Sequence, residues 1–141
     1  MQSRASAVWE GGLKDGNGRV SGGSGAFSDL AYTFATRFEG KDGSNPEELI
    51  AAAHAACFAM ALSNILGQAG MNPEHIAANA TVTLEMLDAG PTVTASHLVV
   101  KAKVPGANDA DFQQAAGKAK EGCPISRLLN AEISMDASLE G

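Results

Sequence analysis

Residues 45–70 read NPEELIAAAHAACFAMALSNILGQAG, and this stretch constrains the fold more tightly than any other part of the chain. Asn45 is a good helix N-cap, Pro46 suits the first helical position, and Glu48 stands at capping-box spacing. Glycines at 67 and 70 supply the stop. From Leu49 to Leu62 the segment is apolar almost all round, interrupted only by His54. A helix with that pattern is covered on every side. A small chain meets this requirement with sheet on one face and something else on the other, and a second copy of the chain is an economical source of that cover. Cys57 sits near the middle of the helix, one turn after His54, and much of the functional reading depends on why a thiol is there.

At 141 residues the chain is expected to form one domain, residues 1–141, with a modest core. Its apolar share of 45% and charged share of 18% fit a folded globular protein. A net charge of −6 argues against nucleic acid and against anionic membrane surfaces as partners. MQSRASAVWEGG holds no apolar run of signal-peptide length, and the Ala-rich helix carries His54 and flanking Glu47, Glu48 and Asn64. The expectation is therefore a cytoplasmic protein with no membrane partner. Two cysteines in a reducing compartment are free or catalytic more often than a permanent cross-link.

The first 45 residues read as short strands and turns. SRASAVWE alternates as a strand, GNGRVSGG reads as a turn, and YTFATRFEG reads as another strand carrying Arg37. After the long helix, ANATVTLEML and TVTASHLVVKAKV form a hairpin across DAGP. DADFQQAAGKAKE is an amphipathic helix that begins at Asn108–Asp109 and ends at Gly122. Cys123–Pro124 then opens a short helix, and AEISMDASL is a final strand. The order implies an α+β fold with antiparallel sheets.

Local sequence leaves three readings of Cys57 open. It is an inert core residue, a metal ligand with His54, or a reactive thiolate that needs a positive charge nearby. Cys123 precedes Pro124 at an N-cap, where free N–H groups and the helix dipole favour an anion, so local electrostatics make it the more acidic thiol. His54 reads as a packing residue with a satisfied hydrogen bond, and His75 and His97 as surface residues.

Together, VWEG (8–11), YTFATRFEG (32–40), NPEELIAAAHAACFAMALS (45–63) and EGCPISRLLNAEI (121–133) span essentially the whole chain. In that order and spacing, the chain resembles the osmotically inducible protein C / organic hydroperoxide resistance (OsmC/Ohr) family, closest to its OsmC branch. The resemblance implies an intertwined homodimer with two sheets wrapped around central helices and active sites at the subunit interface. It further implies a thiol peroxidase that reduces organic hydroperoxides to alcohols, with Cys57 as the peroxidatic thiol and Cys123 as the resolving one. Arg37 and Glu47 complete the implied site. No bound cofactor is implied; electrons come from an external dithiol, either a small molecule or a lipoyl-bearing protein.

Elementary chemistry agrees with those roles. A guanidinium lowers a thiol pKa and stabilises a departing alkoxide, and a carboxylate holds it in a forked pair. Leu49, Ile50, Phe58 and Met60 read as an apolar wall suited to an organic substrate. Ten helical residues from Glu47 to Cys57 amount to ~15 Å of rise, so at least one member of the Arg37–Glu47 pair is expected from a second subunit. The local argument favours Cys123 as the more acidic thiol and the resemblance makes Cys57 the attacking one; a full guanidinium charge outweighs the half charge of a helix terminus. Two other classes stay in view: a carrier of small hydrophobic ligands, and a redox sensor using the same dithiol.

Overall fold

The computed structural model describes residues 1–141, in the order β1 (Ala5–Glu10), β2 (Asn17–Gly22), β3 (Leu30–Tyr32), α1 (Phe34–Phe38), α2 (Pro46–Gln68), β4 (His75–Leu87), β5 (Gly90–Lys103), α3 (Asp109–Gly122), α4 (Pro124–Leu128) and β6 (Glu132–Leu139). The α+β class is as expected. The chain divides into two compact units, Met1–Leu49 and Ile50–Gly141, each with a three-stranded sheet.

The first unit holds the antiparallel sheet β1-β2-β3. Two expectations fail here. GNGRVSGG is not a turn: Asn17–Gly22 is the central strand, paired on both sides, with Gly18 opposite Trp9 and Tyr32. Glycine is required there because a Cβ would come within 2.5 Å of the Tyr32 ring. Nor does YTFATRFEG continue as a strand. β3 stops at Tyr32, and Arg37 rides on the short helix α1. The cause is a capping box: the Thr36 N–H donates to Thr33 Oγ1 at 3.2 Å, and the Thr33 N–H donates to Thr36 Oγ1 at 2.9 Å. That pair overrides the strand preference of the aromatic and β-branched residues around it.

In the second unit β4 and β5 form the expected long hairpin. The final strand departs from the expected antiparallel pairing. β6 runs parallel to β5, from Ala95 opposite Glu132 to Ala102 opposite Leu139. The two helices α3 and α4 lie between these strands in the chain, and a helical crossover of that length returns a strand in parallel where a short loop cannot. Alternate residues of β5, Ser96, Leu98, Val100 and Ala102, are fully buried. They pack into one core with α2 and with Phe112, Ala116 and Ala119 of α3.

α2 starts as the sequence predicts, with Asn45 Oδ1 accepting from the Glu48 N–H at 2.8 Å. Its apolar length meets the composition criterion for crossing a membrane. Within the chain it instead buries one stripe at four-residue spacing, His54, Phe58, Leu62 and Leu66, in the core of the second unit. Cys57, Ala61 and Ile65 flank the stripe and are partly buried, whereas Met60 on another face is 76% exposed. The expected wall of Leu49, Ile50, Phe58 and Met60 is therefore not a single surface, because Phe58 points wholly into the core.

Candidate active site

Two groups of the implied site residues are brought together, one in each unit. In the first unit, Asn45 joins α1 to the start of α2. Its Nδ2 donates to the Thr36 carbonyl at 3.0 Å while its Oδ1 caps α2. Gly43 permits the tight approach, at φ +146° and with a Cβ position only 2.8 Å from Thr36 Cγ2. Arg37, in the last turn of α1, thereby meets Glu47, in the first turn of α2. Arg37 Nε donates to both carboxylate oxygens at 3.2 Å, and Nη2 donates to Oε1 at 2.8 Å. The carboxylate is buried, whereas the guanidinium side chain keeps 36% of its exposure. The pair thus presents a fixed cation with free donors, suited to an anion or to a polarised oxygen.

In the second unit, Cys57 of α2 packs against the core cluster that holds Cys123 at the start of α4; both are free thiols, and each shifts the other's proton affinity. Burial pushes the Cys57 thiol up, and its contact with Cys123 adds to the rise, against one lowering contact from the Ile125 N–H. Burial also pushes Cys123 up, but the influence of Cys57 first, then of the Ser126 and Ile125 N–H groups and the Ser126 hydroxyl, outweighs it and leaves the thiol below its ordinary value. Cys123 forms no regular side-chain cap; the N–H groups of the first turn favour its anion through their dipoles. The local reading of Cys123 as the more acidic thiol therefore agrees with its surroundings.

His54 is fully buried with both ring nitrogens occupied: Nδ1 lies 2.7 Å from Ser96 Oγ and Nε2 lies 2.8 Å from Ser126 Oγ. Burial lowers its pKa. The expected satisfied packing role holds, and the two serines are what the sequence reading missed. Ser126 carries a signal in retrospect, three residues after the N-cap cysteine of α4. His97 is half-exposed on the outer sheet face, 2.6 Å from Ser134 Oγ and 3.0 Å from Asp136 Oδ2, and His75 pairs with Glu140 at 3.0 Å.

The sequence profile described as OsmC-like protein matches residues 39–138. The chain belongs to the OsmC-like family. Among its OsmC-like relatives is the peroxiredoxin OsmC of Escherichia coli, 48% identical over 140 residues, or 99% of this chain and 98% of that protein. An organic hydroperoxide resistance protein of Xanthomonas axonopodis is 30% identical over 71% of this chain and 69% of its own length. The crystal structure of the organic hydroperoxide resistance protein OhrB of Bacillus subtilis superposes with a TM-score of 0.71 at 24% identity, covering 97% of this chain and 98% of that one. This last likeness shows that the OsmC-like fold is shared.

Proposed function

We propose that this OsmC-like chain is a cysteine peroxidase that reduces organic hydroperoxides to alcohols through Cys57 and Cys123. The observation that carries the reading is the pair of free, mutually interacting thiols on the core of the second unit. Its relatives named peroxiredoxin and organic hydroperoxide resistance protein support the same class of chemistry. The Cys57 thiolate attacks the distal peroxide oxygen, the O–O bond breaks, and the alkoxide takes a proton to leave as the alcohol. Cys57 is then a sulfenic acid. The Cys123 thiolate attacks that sulfur, and the hydroxyl leaves as water after taking one proton. An external dithiol, small or lipoyl-type, then reduces the Cys57–Cys123 disulfide by exchange and is itself oxidised.

Cys57 needs a cation to act as the first nucleophile, because burial and Cys123 together hold its thiol up. We assign that cation to the Arg37–Glu47 pair of a second copy of the chain, in a homodimer with its active sites at the interface. Two facts support this assignment. α2 continues as helix from Pro46 to Gln68, and its apolar residues away from the His54–Leu66 stripe are only partly covered by its own chain, with Met60 exposed. The guanidinium would also stabilise the leaving alkoxide.

An apolar cavity of about 180 Å³ in the first unit, lined by Ala7, Val20, Tyr32, Pro46 and Leu49, supports a second reading as a carrier of small hydrophobic ligands. Turnover of cumene hydroperoxide against hydrogen peroxide, with dihydrolipoamide as donor, separates the two. A peroxidase prefers the organic peroxide and loses turnover in Cys57→Ser, whereas a carrier has no turnover and keeps binding in that variant. A redox sensor forms the disulfide with peroxide but does not cycle with any dithiol.

A further inference from the structure

The peroxidase reaction leaves one buried titratable side chain without a task, His54 of α2. Core packing requires only that its two nitrogens find partners. One partner is Ser96 Oγ on β5, at 2.7 Å and fully buried. The other, at 2.8 Å, is Ser126 Oγ on α4. Ser126 is the third residue of α4 and Cys123 is its N-cap, one turn of helix apart and without a side-chain cap bond between them. The Ser126 hydroxyl is among the groups that lower the Cys123 thiol. Ser96, His54, Ser126 and Cys123 thus form one chain of polar groups, running from the sheet through α2 to a wholly buried thiol.

We infer that His54 is a positioning residue for Cys123: by donating from Nε2 to Ser126, it turns the Ser126 hydroxyl onto the Cys123 thiolate, and its tautomer follows the charge on that sulfur. The inference rests on the dithiol reading of Cys57 and Cys123. Counting donors gives the direction of each bond. When Cys123 is ionised, Ser126 gives its single proton to sulfur and must accept from Nε2–H, so Nδ1 is bare and accepts from Ser96. When Cys123 is protonated, its S–H donates to Ser126 Oγ and the Ser126 hydroxyl turns to Nε2. The imidazole proton then sits on Nδ1 and is donated to Ser96. The second state holds one more proton, carried on sulfur. Burial keeps the ring neutral, which provides the one donor and one acceptor the chain requires. Two titratable groups bear on the Cys123 sulfur: the Cys57 thiol of α2 directly, and His54 through Ser126. α3 turns alanines, Ala115, Ala116 and Ala119, to the core.

The test uses the full-length Cys57→Ser protein, in which Cys123 is the sole thiol. Its ionisation is read by thiolate absorbance, and the His54 tautomer by ring-nitrogen NMR shifts across the same titration. The expected result is an Nδ1–H ring below the Cys123 midpoint and an Nε2–H ring above it. In an added Ser126→Ala the midpoint rises by about one pH unit and the tautomer no longer follows it. Ser126→Thr, which keeps the hydroxyl, restores both. A single tautomer throughout, or a midpoint unmoved by Ser126→Ala, overturns the inference. If Ser126→Ala does not fold, the tautomer titration of the Cys57→Ser protein decides alone. Neither readout involves turnover, so a failure of the peroxidase reading is distinguishable from a failure of this one.

Discussion

The two compact units handle burial differently. Ile50–Gly141 has a dense apolar core, with Phe58, Leu62, Leu66, Leu98 and Phe112 all fully buried. In Met1–Leu49 the buried positions are Gly16, Gly18, Thr36 and Glu47, and Val8 of its first strand is 60% exposed. A small sheet with so little buried apolar surface is marginally stable by itself. The proposed chemistry follows the same division. The thiols are set on the packed core, and the Arg37–Glu47 cation is set on the open scaffold. Covalent chemistry between two side chains requires a fixed separation, which a close-packed interior enforces. A charge pair locked by its own forked hydrogen bonds tolerates a looser frame.

Mutations sharpen that contrast. The largest effect is expected from Cys57→Ser, which should abolish hydroperoxide turnover with dihydrolipoamide while leaving the urea midpoint near that of the wild type; retained turnover would remove Cys57 as the nucleophile. Phe58→Ala should cost about 3–5 kcal/mol of stability in equilibrium urea unfolding, because it opens a cavity in the packed unit. Arg37→Lys, which keeps a cation beside the buried Glu47 carboxylate but loses the forked donors, should lower turnover about 100-fold with little change in the unfolding midpoint. An equal loss of stability would make the pair a structural clasp.

Acid provides a subtler comparison. The folded-state pKa of His54 is depressed below its unfolded value of 6.5 by burial, so the unfolded chain binds the proton more readily. Its contribution to stability is complete above that value and is lost as pH falls through it toward the folded pKa. Urea midpoints measured downward from neutral pH should fall across this window, and by less in His54→Gln. The smallest effect is expected from Val8→Ala in the first unit, within about 0.5 kcal/mol for a chain without a partner. If the proposed second copy covers β1, the same substitution would cost more and its cost would depend on protein concentration.

Local chemistry made much of the fold legible. The start of α2 at Asn45–Pro46, the hairpin of β4 and β5, the Asn108 cap of α3 and the break at Cys123–Pro124 all follow from residues within a few positions of one another. Three departures have different origins. Gly18 lies in a strand because aromatic rings on both neighbouring strands need the space a side chain would take, and those neighbours are not adjacent in sequence. Arg37 lies on a helix because two threonines close a box that the usual Glu or Gln signal does not announce. β6 is parallel because two helices carry the chain back across the sheet. Arg37, Glu47, Cys57 and Cys123 were singled out through resemblance, and their spacing alone did not join them.

By itself the sequence determined the long apolar helix, the placement of Cys57 one turn after His54 along it, and an N-terminal helix position for Cys123. The information lies in caps, periodicity and propensity, which act over about one helical turn. Only the tertiary structure decided that Cys123 meets Cys57 and that His54 connects Ser96 to Ser126. Those partners sit on α2, β5 and α4, dozens of residues apart, where caps and periodicity carry no information about which side chains meet.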